Sequence, residues 1–409
     1  MGEWKRMKLS ECCSSIADGD HQPPPKAVTG IPFVTISNMT STNQFDFSDT
    51  LFVPQDYYNK LDEKRKARKG DILYSVVGSF GIPVFMKEDM AFVFQRHIAI
   101  LRPDSEKIVP RFLFYTMRTK DFYAKADAAA LGAAQRTVSL TSLRNMEIYI
   151  PDKIQQNKIV DTLVAYDYLI ENNQKQIKLL EEAAQRLYKE WFIDLHFPGY
   201  EDVEIIDGIP EGWKKIPLGK ILQVIRGRSY SSKELSDKEG LLMVNLSNIR
   251  PYGGYNRDQE KHYIGRVNED QFVEMHDLIM GVTDMTQERR TVGRVAIVPN
   301  LHAKAMISMD LIKLVPDEGS PLFYYALLNY GGYSEVISRF ANGTNVLHLR
   351  PNVLDVVDAV IPDIHLQNKF VEFLENNQNR LDTLQDEMII AAEARDRLLP
   401  KLMSGEIEL

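Results

Sequence analysis

The sequence predicts a mixed α/β (α+β) protein. Two similar globular domains are joined by two long helices, which pair within the chain as an antiparallel coiled coil with pseudo-two-fold symmetry. Three observations predict this. The chain repeats itself at about half its length, each copy opens on short β-branched and aromatic runs, and each copy closes on a long heptad seam. At roughly 100–200 residues per domain, a chain of 409 residues has room for both domains and the helices.

The repeat rests on short matches that recur in one order. Trp4-Lys-Arg-Met-Lys-Leu9 returns as Trp213-Lys-Lys-Ile-Pro-Leu218, and Gly30-Ile-Pro-Phe-Val-Thr-Ile-Ser-Asn-Met39 as Gly240-Leu-Leu-Met-Val-Asn-Leu-Ser-Asn-Ile249. Gly70-Asp-Ile-Leu73 answers His276-Asp-Leu-Ile279, and the run from Arg96 to Asp104 answers that from Met309 to Asp317. Ile150-Pro-Asp152 and Gln156-Asn-Lys158 answer Ile361-Pro-Asp363 and Gln367-Asn-Lys369. The offset stays between 206 and 213 residues, far longer than a solenoid repeat. The expected division is 1–151 for the first domain, 152–197 for the first long helix and 198–212 for a linker. The second domain then takes 213–362, and the second long helix with its tail 363–409.

In the first domain, residues 33–36, 72–77, 91–94 and 97–101 read as strands, with Gly, Pro or Asp near most of their ends. Residues 110–118 read as a helix with Pro at its start. The seam of the first long helix runs Ile159, Leu163, Tyr166, Ile170, Asn173, Ile177, Leu180, Ala184, Leu187, Trp191. Its steps alternate 4 and 3 without a break. Adding 211 gives Phe370, Leu374, Asn377, Leu381, Leu384, Met388, Ala391, Arg395, Leu398, Leu402, with Arg395 the awkward member. Pro400 is expected to end the second helix near Leu399 and to leave Leu402 outside it. Each helix could pack on its own domain alone, but so long and narrow a seam favours another helix as its partner. Asn173 and Asn377 would then fix the register at some cost in stability.

Composition narrows the class. The chain is 44% hydrophobic and 26% charged, as folded proteins are, and no run of about 18 apolar residues spans a membrane. The start Met1-Gly-Glu-Trp-Lys-Arg6 is not followed by the apolar stretch of a secretory signal. The adjacent Cys12 and Cys13 supply neither a disulfide framework nor a zinc site, so a cytoplasmic location is expected. Net charge is −8, and even the most basic stretch, residues 1–150, reaches only +3. A DNA-binding face would therefore be built from local clusters. DNA is nonetheless the target the architecture suggests. Two related domains on a stiff spacer suit two half-sites about a helical turn apart, and unlike domains suit unlike half-sites.

The linker Lys189-Glu-Trp-Phe-Ile-Asp-Leu-His-Phe-Pro-Gly199 is followed by Gly208-Ile-Pro-Glu-Gly-Trp-Lys214. With the C-terminal Arg397-Leu-Leu-Pro-Lys-Leu-Met-Ser-Gly-Glu-Ile407 and the paired Ile-Pro and Gln-Asn-Lys helix starts, it resembles the specificity subunit of type I restriction–modification enzymes. The resemblance covers essentially the whole chain. It implies a non-catalytic subunit whose two target-recognition domains read a bipartite, asymmetric sequence in double-stranded DNA. It further implies two methyltransferase (modification) subunits and two motor-nuclease (restriction) subunits as partners, with no membrane and no cofactor. The base preference does not carry over, because recognition domains vary widely.

Candidate DNA contacts are polar or basic residues in or beside the loops between strands. In the first domain they are Ser37, Asn38, Lys66, Arg68 and Lys69 within the run 64–69, Ser79, Arg96, and Gln135 with Arg136. In the second they are Arg226, Arg228, Asn245, Asn248, Gln287, Arg289, Arg290, Thr344, Asn345 and His348. The loops at Gly132 and Gly343 hold matching places in the two copies. The run 64–69 also reads as a solvated charge cluster, and Ser37, Asn38, Asn245 and Asn248 as structural groups. The outer faces of the helices, and Trp191, Phe192 and Phe197 at the linker, are candidates for partner contact. Closing the end of the coil is an equal reading of the aromatic three.

No catalytic set is legible. Gln22-Pro-Pro-Pro-Lys26 lacks the leading Asn or Asp and the aromatic of an amino-methyltransferase motif, and no phosphate-binding Gly-x4-Gly-Lys-Ser/Thr occurs. Two rival readings remain open at this level: a coiled-coil adaptor without DNA binding, and a stand-alone DNA-acting enzyme.

Overall fold

The computed structural model describes residues 4–40, 42–132, 136–257 and 261–409. It divides into two compact units, Met1–Glu171 with Met388–Leu409, and Asn172–Glu387. Each unit therefore combines globular chain with a stretch of both long helices.

In the first unit, a four-stranded antiparallel sheet has the order Cys13–Asp18, Ile98–Pro103, Ile72–Ser75, Pro83–Phe85. Ile72, Leu73, Tyr74 and Ser75 are all buried, so this strand is covered on both faces and reads as an unbroken run. A three-stranded sheet, Leu51–Val53, Ile31–Val34, Val93–Phe94, lies beside it in sequence. The expected strand 33–36 ends at Val34 instead. Asn38 Oδ1 accepts the Thr35 N–H (2.9 Å) and folds residues 36–38 into a 3-10 turn. A ribbon pairs Lys5–Lys8 with Glu147–Ile150, and helices Pro110–Met117 and Lys120–Ala129 cover the sheet side.

The second unit repeats the plan. Its antiparallel sheet runs Leu222–Arg226, Leu311–Pro316, Leu278–Gly281, Val295–Ile297, and its ribbon pairs Lys214–Pro217 with Asp358–Ile361. The second sheet grows to five strands. Helices Pro321–Tyr330 and Tyr333–Ser338 follow the last sheet strand, as in the first unit.

The long helices are Lys153–Tyr188, extended by a π-turn over Lys189–Ile193, and Ile364–Met403. They run antiparallel in each unit. In the first, Lys158 reaches the Leu409 carbonyl (2.7 Å) while Asp167 meets Arg395 (2.8 Å). In the second, Asn173 donates to the Leu384 carbonyl (3.5 Å) and Asn377 to that of Leu180 (3.1 Å). Both asparagines are buried with a partner on the facing helix, as a register-fixing role requires. The helices also enter the domain cores. Ile159, Leu163, Leu399 and Leu402 pack with Leu9, Tyr74 and Phe112 in one unit. Ala184, Tyr188, Phe370 and Leu374 pack with Leu278, Phe323 and Leu327 in the other.

Two expectations about the second seam need correction. Arg395 is no flaw, because its guanidinium answers Asp167, which also accepts the Tyr115 hydroxyl (2.5 Å). Pro400 does not end the helix. Its missing N–H leaves the Asp396 carbonyl without the usual donor, at roughly 3 kcal/mol. Burying Leu399 and Leu402 contributes roughly 1.5–3 kcal/mol each and offsets that cost. The helix closes a turn later, where Ser404 N–H reaches the Pro400 carbonyl (3.0 Å).

The repeated helix start has a structural explanation. Gln156 is buried; its amide donates to the Pro151 carbonyl (2.9 Å) and its oxygen accepts the Val109 N–H (2.8 Å). Gln367 likewise donates to the Pro362 carbonyl (2.9 Å). At the linker, Trp191 and Phe192 pack on Phe370, and Phe197 on Trp213, so these aromatics close the coil end in the second unit. Among the described residues, no helix is long and apolar enough to cross a membrane.

Candidate nucleic-acid interface

In the second unit the strand Leu278–Gly281 runs on into Thr283–Asp284, which pair with Leu347–His348. The loop that follows is folded around one carboxylate. Asp284 is buried and accepts the N–H groups of Thr286 (2.7 Å), Thr291 (2.6 Å) and Val292 (3.3 Å), with both threonine hydroxyls. Burial pushes its carboxyl up, but the bonds from Thr291, Thr286 and Val292 outweigh this and hold it below the usual range.

Gln287 then fastens this loop to the neighbouring one, its amide donating to the Thr344 carbonyl (2.9 Å) and, more weakly, to that of Gly343 (3.5 Å). Gly343 sits at φ 150° with a carbonyl where a Cβ would be, so the second loop turns only with glycine there. The arrangement presents Gln287, Arg290, Thr344, Asn345 and His348 on one exposed edge. Arg290 pairs with the exposed Glu288. Such a surface pair contributes about 0–1 kcal/mol. Arg289 is half-buried in a left-handed conformation, its carbonyl accepting from Arg294 Nε (3.4 Å).

The first unit brings together the matching pair of loops. Val77 bridges to Thr137, and the Gly78 N–H donates to the Arg136 carbonyl (3.0 Å). Arg136 pairs with Asp127 and lies over the Phe80 ring (5.6 Å), which stacks on Tyr123. Ser79 is exposed on the same loop, its carbonyl accepting the Ser75 hydroxyl (2.9 Å). Gln135 lies outside the described residues.

Other sequence candidates fall elsewhere. Asn38, Asn245 and Asn248 are buried and leave the candidate set. Asn38 and Asn248 close 3-10 turns by accepting the N–H of Thr35 and Asn245 and donating to the carbonyls of Asp46 and Asn256, while Asn245 caps its turn from the other end. Ser37 is exposed, with its hydroxyl 2.7 Å from that of Thr35. In the run 64–69, Lys66 and Arg68 both pair with Glu63, and Arg65 approaches Asp18 and Asp20, so most of its charge is met inside the unit. Lys69 and Arg96 stand exposed. Arg226 is exposed at a strand end and Arg228 half-buried two residues on. The organising group, Asp284, was not singled out from sequence. Its signal was an Asp with Thr two and seven residues later, a weak one, because short turn motifs are common. Neither cysteine offers a nucleophile at neutral pH, since burial pushes the thiols of Cys12 and Cys13 up to about 11 and about 12.

Residues 1–182 match the type I restriction modification DNA specificity domain. The chain is 26% identical to the Type I restriction enzyme MjaIX specificity subunit of Methanocaldococcus jannaschii, over 74% of this chain and 70% of that one. It is 21% identical to the HindI specificity subunit of Haemophilus influenzae over 100% of both chains. Its fold is similar to the crystal structure of a type I restriction–modification S subunit from M. genitalium, with a TM-score of 0.63 at 16% identity over 98% of this chain and 96% of that one. With its repeated globular plan and its antiparallel helix pair, the chain is similar along its length to type I restriction enzyme specificity subunits, and its first 182 residues carry their DNA specificity domain.

Proposed function

We propose that this chain reads a bipartite, asymmetric sequence in double-stranded DNA, one half-site by residues 1–151 and the other by residues 213–362. In this reading it works in the cytoplasm and positions two methyltransferase and two motor-nuclease subunits on that target. The observation that carries it is the pair of converging loops, built at the same place in both units and furnished with different side chains. One scaffold with two reading edges suits two different half-sites. Contacts from Arg136, Ser79 and Lys69 would serve the first half-site. Contacts from Gln287, Arg289, Arg290, Thr344, Asn345 and His348, with Arg226 and Arg228, would serve the second.

The test is co-expression with the cognate methyltransferase subunit in a methylation-free host, followed by mapping of adenine methylation. A single two-part asymmetric motif is the expected result. A soluble complex that methylates nothing would sink the reading, and methylation by this chain alone would overturn its non-catalytic part.

A further inference from the structure

The turn Pro251-Tyr252-Gly253-Gly254 belongs to no motif, yet it holds an exposed aromatic residue on a left-handed backbone. Tyr252 lies at φ 68°, in the left-handed region that a bulky L-residue rarely enters, and the residue is 59% exposed. An exposed aromatic gains nothing from the core, so packing does not explain the strain.

The surroundings hold the turn in place. The Tyr252 N–H donates to the Arg290 carbonyl (2.8 Å), which sets the residue against the loop that carries Gln287 and Arg290. Arg294 lies over the ring at 5.5 Å and is itself buried and held by Glu335 (2.5 Å). Arg250 is bound by Glu181 of the first long helix (2.6 Å). Gly253 and Gly254 are packed so that a Cβ would reach Asn329 and the Arg250 guanidinium at 2.3 and 2.4 Å. The first unit builds the equivalent turn, Thr40 N–H to the Gln44 carbonyl against Arg250 N–H to the Gly254 carbonyl. There Thr42 stands at the place of Tyr252, and the left-handed residue is Asn43, which tolerates it.

Residues that the fold holds in a strained backbone conformation cluster at functional sites. We propose that Tyr252 is a specificity-determining residue of the second half-site, packing the open part of its ring against a thymine methyl group. This rests on the DNA-reading role proposed above. Arg294 backs the ring by a cation–π contact and fixes the direction it faces.

The test compares Tyr252→Asn and Tyr252→Phe with the unaltered chain, each in complex with the cognate methyltransferase, by methylation mapping and thermal melting. Asn fits the left-handed backbone, so its melting temperature should equal or exceed that of the parent. Its motif should loosen roughly tenfold at one base pair of the second half-site, with the first half-site unchanged. Tyr252→Phe keeps the ring and should keep the motif. An unchanged motif in Tyr252→Asn overturns the proposal, and so does a lower melting temperature, which would make the residue a structural one. If the parent complex gives no two-part motif, the DNA-reading role itself has failed, and this inference with it.

Discussion

Asp18-Gly19-Asp20 in the first unit and Arg226-Gly227-Arg228 in the second are one turn carrying opposite charge. The glycine N–H donates to the Ile98 carbonyl (3.0 Å) in one and to the Leu311 carbonyl (3.1 Å) in the other. Asp20 bridges to Gln95 and Arg228 to Ser308, both in parallel sense. A Cβ on either glycine would run into a carbonyl at 2.2 or 2.0 Å, so the backbone admits only glycine there. The flanking side chains differ in burial as well as charge: Asp20 is buried, Arg228 half-buried and Arg226 exposed. In the first unit the carboxylates face Arg65, His21 and the Tyr57 hydroxyl, so they are engaged within the unit. In the second, Arg226 points to solvent with its charge available to a phosphate. The scaffold repeats where apolar packing dictates it, and the two copies part where side chains meet the outside.

The sharpest break in that parallel lies at equivalent positions of the long helices, Asp167 and Gln378. Asp167 joins Tyr115, Arg118 and Arg395 in a largely buried network. Asp167→Ala would leave the guanidiniums of Arg118 and Arg395 with only the more exposed Asp396 as a carboxylate partner, and the first unit should lose up to about 3–5 kcal/mol. Gln378 makes one weak bond to Asp382 (3.2 Å), so Gln378→Ala should cost about 1 kcal/mol or less. Amide hydrogen exchange resolved by unit reads both, and equal losses would refute the distinction.

Next in size is Asp284, whose counterpart in the first unit, at an offset of 206, is Gly78. Asp284→Ala strips three N–H groups of their acceptor and should destabilise the second unit by about 2–3 kcal/mol. Its folded carboxyl lies below the usual range. The contribution is therefore complete above the unfolded value of about 3.9 and fades as pH falls through the lower folded one. Acid unfolding that begins in the second unit and is blunted in Asp284→Ala would bear this out, and an identical acid profile would not.

The smallest effect is on binding. Arg226→Ala and Arg228→Ala should each weaken DNA binding by the methyltransferase complex up to about tenfold. Each should also lower the log–log salt slope by about 1 for every phosphate that its guanidinium neutralises. An unchanged slope would place both arginines off the DNA.

Much of this architecture was legible because it is periodic. The 4–3 spacing from Ile159 to Trp191, and its image from Phe370, mark long helices whose narrow apolar seam suits another helix as partner. The matched segments located both ribbons and the central sheet strands, because buried strands must keep β-branched and aromatic residues. Pro400 misled because local propensity, at roughly 3 kcal/mol, was weighed without the burial of Leu399 and Leu402. Asn38, Asn245 and Asn248 stayed open between two readings because an asparagine that closes a turn and one that reads a base have the same letter.

The sequence by itself determined the duplication, the antiparallel-capable seam, the absence of a legible catalytic set and the family resemblance. All of these are carried by patterns of residue type along the chain. Only the tertiary structure decided that Arg395 is the answer to Asp167, that Asp284 organises the loop that follows it, that Gln287 fastens this loop to Thr344, and that Tyr252 stands out in a left-handed turn. These are contacts between residues up to 228 positions apart, or backbone states forced by them. Hydrogen bonds and ion pairs leave no period in a sequence; they exist only once apolar burial has brought their partners within reach.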